Sequence, residues 1–304
     1  MEICDNSPLI FGEVLFDIFP NGSRVLGGAP FNVAWHLQGF GLEPRVITRI
    51  GNDKLGDEIL QRMYSWNMNT DLIQRDTKYP TGTVQVKTSG SKTSFRIKPD
   101  AAYDYIEPVE LPENVTVRTK LLYHGSLACR NSQSFSSLLN LKKTLPVQVF
   151  LDINLRDPWW NNVLIHSLIA NATWVKMNRD ELHSINAKSG NSSDLKSAET
   201  VRARHGLDHL IVTMGEEGAF LVEKSSRSYQ TPSKPVSQLI DTVGAGDGFA
   251  AVCILGLLRE WQPEIILRRA ATFAARICMQ RGAISKDSSL YRTIMTEWRT
   301  SDEA

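Results

Sequence analysis

Short apolar runs alternate with amphipathic segments from about residue 120 onward. The apolar runs predict strands at 120–124, 147–152, 173–176 and 209–213. The segments between them predict helices near 131–144, 158–170 and 194–205. Strands that alternate with helices are typical of βαβ units, in which each helix returns the chain to the start of the next parallel strand. The pattern therefore predicts an α/β fold with a central, mostly parallel sheet flanked by helices.

The two ends of the chain extend this pattern. In the N-terminal part, strands at 8–12 and 45–50 are expected in the same sheet, with a helix at 30–40 between them. Helices are also predicted at 245–258 and 263–280. Both of these are rich in small residues, which let a neighbouring helix or a flat ligand come close.

Residues 72–98 interrupt the alternation. The segments 81–87 and 94–98 are rich in β-formers and flank a Ser-Gly-Ser-Lys sequence that suits a turn. A hairpin without a crossover helix does not continue a parallel sheet, so it should project as a small β-hairpin lid. With a further strand near 24–26, we expect a lid subdomain inserted at about 21–27 and 72–105 into a single domain that spans 1–304.

The composition excludes several classes of protein. Lys and Arg number 34 against 33 Asp and Glu, so no strong charge asymmetry points to a nucleic-acid or membrane partner. The longest strongly apolar run, 249–258, is well short of the roughly 20 residues that cross a bilayer. Residues 1–8 lack the features of a secretory signal, and we expect a cytoplasmic protein. The four cysteines show no metal-ligand spacing.

The segment Asp-Thr-Val-Gly-Ala-Gly-Asp-Gly-Phe at 241–249 carries the clearest chemistry. Gly244, Ala245 and Gly246 let the backbone turn and expose its N–H groups where a helix begins, which predicts an anion hole. A carboxylate at Asp247 is a poor neighbour for phosphate unless it accepts the proton of a hydroxyl that attacks a γ-phosphoryl group. Alternatively, Asp247 is a first-turn partner of the helix dipole, and the segment alone leaves both interpretations open.

A second segment gives the first one its context. The 241–249 segment resembles the C-terminal signature of the ribokinase-like family of carbohydrate kinases, also called the phosphofructokinase-B family. Gly-Gly-Ala-Pro-Phe-Asn at 27–32, followed by Gly41 and Gly51, resembles the family's N-terminal signature, and 51–57 resembles its turn after the third strand. The resemblance covers residues 9 to about 284. It implies a ribokinase-like fold and an ATP-dependent sugar kinase that uses Mg²⁺, most similar to bacterial fructokinases.

The resemblance also assigns residues to the sugar. Asp17 would bind sugar hydroxyls, with Gly28 and Asn32 beside it, and a carboxylate with an amide suits a polyol because together they accept and donate hydrogen bonds. Without the resemblance, Asp17 would be interpreted as a solvated turn residue and Asn32 as a cap or polar helix residue.

The segment Asp-Ile-Asn-Leu-Arg at 152–156 resembles the form found in fructokinases and 2-keto-3-deoxygluconate kinases. Its last residue, Arg156, would hold the transferring phosphoryl group or an anionic substrate through its fork of donors. The alternative for Arg156 is a surface ion pair with Asp157 or Glu181.

Two further segments resemble nucleotide and metal sites of the family. Asn178-Arg-Asp-Glu181 resembles its N-x-x-E motif, in which Glu181 would orient water on Mg²⁺. The same spacing also fits an ordinary capping box. The segment 213–218 resembles the loop that lines the nucleotide, through Thr213, Gly215 and Gly218, and would otherwise be a hairpin turn.

The resemblance further implies a monovalent-cation site, occupied by K⁺. Asp241 would contribute to it, together with backbone carbonyls around Val243 and Ala283. The alternative is that Asp241 merely ends a strand.

The acceptor is the least determined feature. The segments 81–86 and 101–106 resemble fructokinase lids more than ribokinase lids, so D-fructose is expected to become fructose 6-phosphate, ahead of 2-keto-3-deoxygluconate and then ribose. Arg156 and the basic lid would also suit a sugar acid. The non-enzyme alternative is a silent sugar-binding regulator, against which Asp247 argues. The expected partners are a sugar and ATP, with no nucleic acid, no membrane, and a homodimer through the lid.

Overall fold

The computed structural model describes residues 7–89, 92–170, 172–186 and 192–302. Its strands in chain order are β1 (Leu9–Phe11), β2 (Leu15–Ile18), β3 (Arg24–Gly27), β4 (Arg45–Gly51), β5 (Ile73–Asp76), β6 (Gly82–Ser89), β7 (Lys92–Ile97), β8 (Leu121–His124), β9 (Gln148–Asp152), β10 (Trp174–Asn178), β11 (His209–Thr213), β12 (Ala219–Glu223) and β13 (Ser228–Thr231). Its helices are α1 (Ala29–Gly39), α2 (Lys54–Ser65), α3 (Glu113–Arg118), α4 (Ser132–Thr144), α5 (Asn162–Ile169), α6 (Arg179–Ile185), α7 (Asp194–His205), α8 (Ala245–Leu258), α9 (Pro263–Ile277) and α10 (Ser288–Asp302).

A large sheet forms the centre of the described chain, in the order β13-β12-β11-β10-β9-β8-β1-β4-β5. The strands from β11 to β5 pair in parallel, and β12 and β13 add an antiparallel edge. Successive side chains of a strand point to opposite faces. Accordingly, Ile10 packs in one hydrophobic cluster, with α1, α8 and α9, whereas Leu9 and Phe11 pack in another, with α4, α5 and α7. The predicted α/β class, with helices on both faces of a mostly parallel sheet, is confirmed.

A small second sheet has the order β3-β2-β6-β7. The hairpin that the sequence predicts is the β6–β7 pair, and its turn at 90–91 lies outside the described residues. The sheet also contains β2, which pairs in parallel with β6 and antiparallel with β3. We call these four strands the lid sheet. The strand β5 lies within the 72–105 segment predicted for the lid but pairs with β4 in the large sheet. The lid subdomain stays a prediction, as does a homodimer through it.

Asp53 fixes the lid sheet to the large sheet. It caps α2 by accepting a hydrogen bond from the Gly56 N–H at 2.8 Å. The same carboxylate accepts from the Thr81 N–H at 2.9 Å and the Thr81 hydroxyl at 2.8 Å, just before β6 begins. The Thr81 hydroxyl oxygen accepts in turn from the Gly51 N–H at the end of β4, at 3.0 Å. One carboxylate therefore joins a strand end, a helix start and the base of the lid sheet.

Helix boundaries differ slightly from the sequence pattern. The helix expected at 158–170 begins at Asn162, because the Asn161 side chain accepts a hydrogen bond from the Leu164 N–H at 2.9 Å and so caps the helix there. The helix expected at 263–280 ends at Ile277. Among the residues described, no helix combines the length and apolarity needed to cross a membrane.

Candidate active site

Polar residues follow several neighbouring strands of the large sheet at their carboxyl ends. Glu13 comes shortly after β1, Asp152 ends β9, Asn178 ends β10 and Thr213 ends β11. These strands are parallel, so their carboxyl ends meet at one edge of the sheet, where open α/β sheets bind ligands. This edge carries the candidate active site.

Asp247 lies in the first turn of α8. Gly244 is the residue before the helix and has a φ of 82°, a left-handed conformation that suits glycine. The first N–H groups of a helix have no partner within it, which makes them available to an anion. The Ala245 N–H donates to the Thr242 carbonyl at 3.3 Å, so the anion hole predicted at Gly244, Ala245 and Gly246 would rely mainly on the N–H groups after Ala245, and it stays a prediction.

Asn32 meets Asp247 across the site. Its amide Nδ2 donates to Asp247 Oδ2 at 2.7 Å, between helices α1 and α8. Among the residues that the structure describes, none gives the buried Asn32 Oδ1 atom a hydrogen bond, so this atom retains its capacity to accept one. Gly28 precedes α1 with a φ of 104°, and an added Cβ there would lie 2.6 Å from the Glu13 carbonyl oxygen. Only glycine lets α1 start this close to the chain that follows β1.

The pKa of Asp247 is raised to about 6. Burial is the largest cause, and the negative charge of Asp152 adds to it. The hydrogen bond from Asn32 and the positive charges of Lys176 and Arg156 act in the opposite direction. A carboxylate with a pKa near 6 is still ionised at neutral pH but is a stronger base than one in water.

Two more carboxyl groups near Arg156 have raised pKa values, those of Asp17 and Glu13. Asp17 is on β2 of the lid sheet, which removes the alternative of a solvated turn residue, and its role in binding sugar stays a prediction. Burial raises its pKa to about 6, and the positive charge of Arg156 partly offsets this. Glu13 is buried, with Oε2 lacking any hydrogen-bond partner. Burial raises the pKa of Glu13 to about 7, which places its ionisation near neutral pH.

Arg156 follows a sharp turn after β9. Asn154 adopts a φ of 43°, in the left-handed region that asparagine tolerates. In the part of the chain that the structure describes, Arg156 forms no ion pair with Asp157 or Glu181; its guanidinium donates to the Leu155 carbonyl at 3.1 Å. The surface ion pair offered as the alternative is therefore wrong for this residue. Arg156 is exposed and its charge acts on Glu13, Asp17 and Asp247.

Asn178 and Glu181 form the capping box that their spacing allows. The Asn178 side chain accepts from the Glu181 N–H, and Glu181 Oε2 accepts from the Asn178 N–H, both at 2.8 Å. The other oxygen, Glu181 Oε1, accepts from the Leu155 N–H at 2.8 Å. Glu181 is buried, and its carboxylate is held at the sheet edge by two backbone N–H groups, those of Asn178 and Leu155. A role in binding hydrated Mg²⁺ stays a prediction.

A cavity of about 630 Å³ opens next to the anion hole. Thr213, Gly215 and Gly218 line it, as the sequence predicts for the nucleotide loop, whereas Asn178 is not among its lining residues. Ala245 and Gly246 form its border with the anion hole. Apolar side chains line one part of the rest, among them Val236, Leu239, Phe249, Ala271, Ala274 and Ala275. Polar and charged residues line another part, namely Glu216, Ser233, Lys234 and Thr242. A cavity with an apolar wall that ends at a helix N-terminus suits a nucleotide.

Asp241, Val243 and Ala283 lie together. The Asp241 carboxylate accepts from the Val243 N–H and from the Gly282 N–H, each at 3.0 Å. An added Cβ at Gly244 would lie 2.4 Å from the Ala283 Cα, so the two loops are in close contact. Asp241 ends no strand, which removes the alternative raised from the sequence. Among the residues described, no group of three His, Cys, Asp or Glu is arranged to hold a metal ion.

One ion pair at this edge was not anticipated from the sequence. Lys176 on β10 donates to both oxygens of Asp152 on β9, at 2.9 and 2.8 Å. Both side chains are buried. An added Cβ at Gly246 would lie 3.6 Å from the Lys176 ammonium, so this ion pair borders the anion hole. A lysine inside a buried strand was the available signal, because a buried charge needs a partner.

Comparison with known proteins decides the family. A sequence model of pfkB family carbohydrate kinases matches residues 11–289. The chain belongs to this family. The ribokinase-like resemblance of the two signatures is thereby confirmed, and the chain is an ATP-dependent sugar kinase, a phosphotransferase that acts on an alcohol group.

Relatives of this pfkB kinase differ in their acceptors. A fructokinase of Klebsiella pneumoniae is 27% identical over 88% of this chain and 90% of its own length. A 5-dehydro-2-deoxygluconokinase of Listeria innocua is 24% identical over 88% of this chain and 83% of its own. A fructokinase structure from Xylella fastidiosa with bound ATP has a TM-score of 0.84 at 21% identity, covering 96% of this chain and 99% of that one. A Vibrio cholerae fructokinase double mutant, with fructose, ADP and potassium ion bound, has a TM-score of 0.76 at 22% identity, covering 95% and 98%.

Proposed function

We propose that this pfkB kinase transfers the γ-phosphoryl group of ATP to the 6-hydroxyl of D-fructose, giving fructose 6-phosphate, with Asp247 as the base. The observation that carries the proposal is the position of Asp247. It lies between the anion-hole residues of α8 and the amide of Asn32, with a pKa raised to about 6. A proton acceptor in that position can take the hydroxyl proton as the oxygen attacks the phosphoryl group.

The other predicted residues take roles around Asp247. Asp17, Gly28 and Asn32 would bind the sugar: a carboxylate and the free Asn32 Oδ1 can accept hydrogen bonds from its hydroxyls. Arg156 would hold the phosphoryl group during transfer, because its exposed guanidinium has donors to spare. The N–H groups at 244–246 would stabilise the charge that develops on the phosphate oxygens.

The nucleotide would occupy the 630 Å³ cavity beside Thr213, Gly215 and Gly218. Asn178 was also assigned to the nucleotide; as a cap of α6 it would act from the edge of that site. Glu181 would orient a water molecule on Mg²⁺, which neutralises charge on the phosphates when bound.

A monovalent cation beside the anion hole is part of the proposal. The Asp241 carboxylate lies beside the backbone of Val243 and Gly282, and K⁺ is present in a related fructokinase structure. The carbonyls of Val243 and Ala283 would complete the site. A cation there would fix the 242–246 loop and so aim its N–H groups. Replacing K⁺ by tetramethylammonium at constant ionic strength should therefore lower kcat. Equal activity in the two salts would exclude the site.

A second acceptor class has specific support. The exposed guanidinium of Arg156 would suit the carboxylate of 2-keto-3-deoxygluconate, and one relative acts on a deoxygluconate. Ribose ranks third, because the segments 81–86 and 101–106 resemble fructokinases more than ribokinases.

The acceptor is tested by comparing kcat/KM for fructose, 2-keto-3-deoxygluconate and ribose with ATP and Mg²⁺. Fructose should lead, because a site that pairs each sugar hydroxyl rejects analogues that leave its polar groups unpaired. The variant Arg156→Gln is an internal control. Any effect that it has on phosphoryl transfer is common to all acceptors, so it cancels in the ratio of kcat/KM values for two acceptors. A tenfold or larger advantage for the sugar acid, lost in this variant, would contradict the fructose assignment and leave the sugar-kinase assignment intact.

A further inference from the structure

The Lys176–Asp152 ion pair has no role in the function proposed so far. Lys176 is 5% exposed and Asp152 is 2% exposed. Burial alone would lower the pKa of Lys176, but the charge and hydrogen bonds of Asp152 outweigh it and raise that pKa. The lysine is therefore a permanent positive charge at neutral pH. Burying such a pair is costly, and replacing it by apolar residues is often neutral or stabilising, so fold stability alone does not explain it.

The surroundings of Lys176 are strongly acidic. Asp152 on β9, Glu181 on α6 and Asp247 on α8 all act on its charge. Lys176 and Arg156 are the cations that act on Asp247, whereas Asp152 is the carboxylate that opposes them. The remaining titratable groups that face these residues are Glu13, Tyr123 and Cys253, whose pKa values burial raises.

Lys176 is poorly placed to bind the substrate directly. Its ammonium uses two of its three donors on Asp152 and lies under the first turn of α8, below the position of Gly246. The Lys176 side chain therefore lies close to the predicted anion hole but is almost completely buried. Its positive charge nevertheless acts on the neighbouring Asp247 carboxylate.

We propose that Lys176, held in place by Asp152, is a positioning residue of the phosphoryl-transfer site, a fixed cation that keeps the Asp247 carboxylate charged and able to accept a proton at neutral pH. This inference rests on the proposed role of Asp247 as the base. Asp152 orients the Lys176 ammonium. Its own negative charge raises the pKa of Asp247, whereas the charge of Lys176 lowers it. The pair thus sets the basicity of Asp247 as a balance of two opposite charges.

The balance predicts shifts of opposite sign. In Lys176→Met the cation that favours ionised Asp247 is lost. The fall of kcat at low pH, which we call the acid limb, should therefore move to higher pH by about one unit, the size expected from removing a nearby charge. In Asp152→Asn the carboxylate that disfavours ionised Asp247 is lost, so the acid limb should move to lower pH. The double variant Asp152→Asn/Lys176→Met removes both charges and should return the limb towards the wild-type position.

The measurement is kcat against pH from 5 to 9 for wild type, the two single variants and the double variant. Lys142→Met is the matched control, because Lys142 is also partly buried but donates to the carbonyls of Leu168 and Ala170 away from the site. It should leave the acid limb unchanged. If Lys176→Met does not fold, Asp152→Asn and the double variant still differ only in the cation and carry the comparison.

A readout independent of catalysis separates this inference from the proposed function. In protein labelled with ¹³C at aspartate carboxyls, the Asp247 resonance is assigned by its loss in Asp247→Asn, and its titration should shift as above. An unchanged Asp247 titration, or shifts of one sign in all variants, would overturn the role of Lys176. If the titration shifts as expected while Asp247→Asn retains full turnover, it is the proposed base that fails.

Discussion

Asp247→Asn should lower kcat by about two to four orders of magnitude, the usual contribution of a positioned base. The amide keeps the shape of the side chain and can still contact Asn32, so the KM for sugar should change far less. The wild-type enzyme should lose activity below about pH 6, because the raised pKa means that Asp247 takes up a proton there and cannot accept another. Steady-state kinetics across pH measure both effects, and the acid limb should be absent from the variant's residual activity.

The control for this experiment is Asp57→Asn, which makes the same chemical change on the surface. Asp57 pairs with Arg75 in an exposed ion pair, a type that contributes little to stability. This variant should keep wild-type kcat and pH dependence. Near-normal turnover of Asp247→Asn at pH 8 would show that another group takes the proton.

Asp17→Ala should weaken the binding of the sugar and leave the binding of ATP unaffected. Two lost hydrogen bonds to a charged acceptor, at about 1.5–3 kcal/mol each, correspond to a fall of roughly 10² to 10⁴ in kcat/KM for the sugar. The loss should appear mainly as a higher sugar KM, because we propose that Asp17 binds the acceptor and that Asp247 takes its proton. Initial rates with each substrate varied in turn separate the two KM values.

The conservative variant Asp17→Asn sharpens this test. Asparagine keeps one acceptor in the same place, so it should recover part of the lost sugar affinity. Asp17 lies on the lid sheet. If its substitution acted only by disturbing that sheet, the sugar KM would rise to the same extent in both variants. A raised KM for ATP with an unchanged one for sugar would mean that Asp17 faces the other pocket.

Most strands of the large sheet were predictable because their signal is local, whereas its strands β5, β12 and β13 were not predicted. Strands such as Leu121–His124 and His209–Thr213 are buried on both faces and therefore appear as continuous apolar runs. The strand Leu15–Ile18 was missed for the opposite reason. Only three residues separate it from Leu9–Phe11, and its existence depends on pairing with β3 and with β6, which lies more than sixty residues further on. Periodicity within a short window cannot detect such pairing.

The candidate site was predictable where a residue stands in a motif. Asp247, Asn32 and the anion-hole glycines were identified from their segments, although their roles stay predictions. The contact between Asn32 and Asp247 depends on how α1 packs against α8, which no segment reveals. Lys176 was overlooked because its partner Asp152 lies on the neighbouring strand and the two meet only in the folded sheet.

The hydrogen bond between Asn32 and Asp247 has a consequence for how the enzyme is made in the cell. Its two residues are 215 positions apart, and at about 5–20 residues per second a ribosome needs roughly 10 to 40 s to add Asp247 after Asn32. During that time, the part of the candidate site on α1 lacks the base that we propose, and α1 itself lacks the helix α8 against which it packs. If Asp247 is the base, a nascent chain cannot phosphorylate a sugar before residue 247 has been added and α8 has docked on α1.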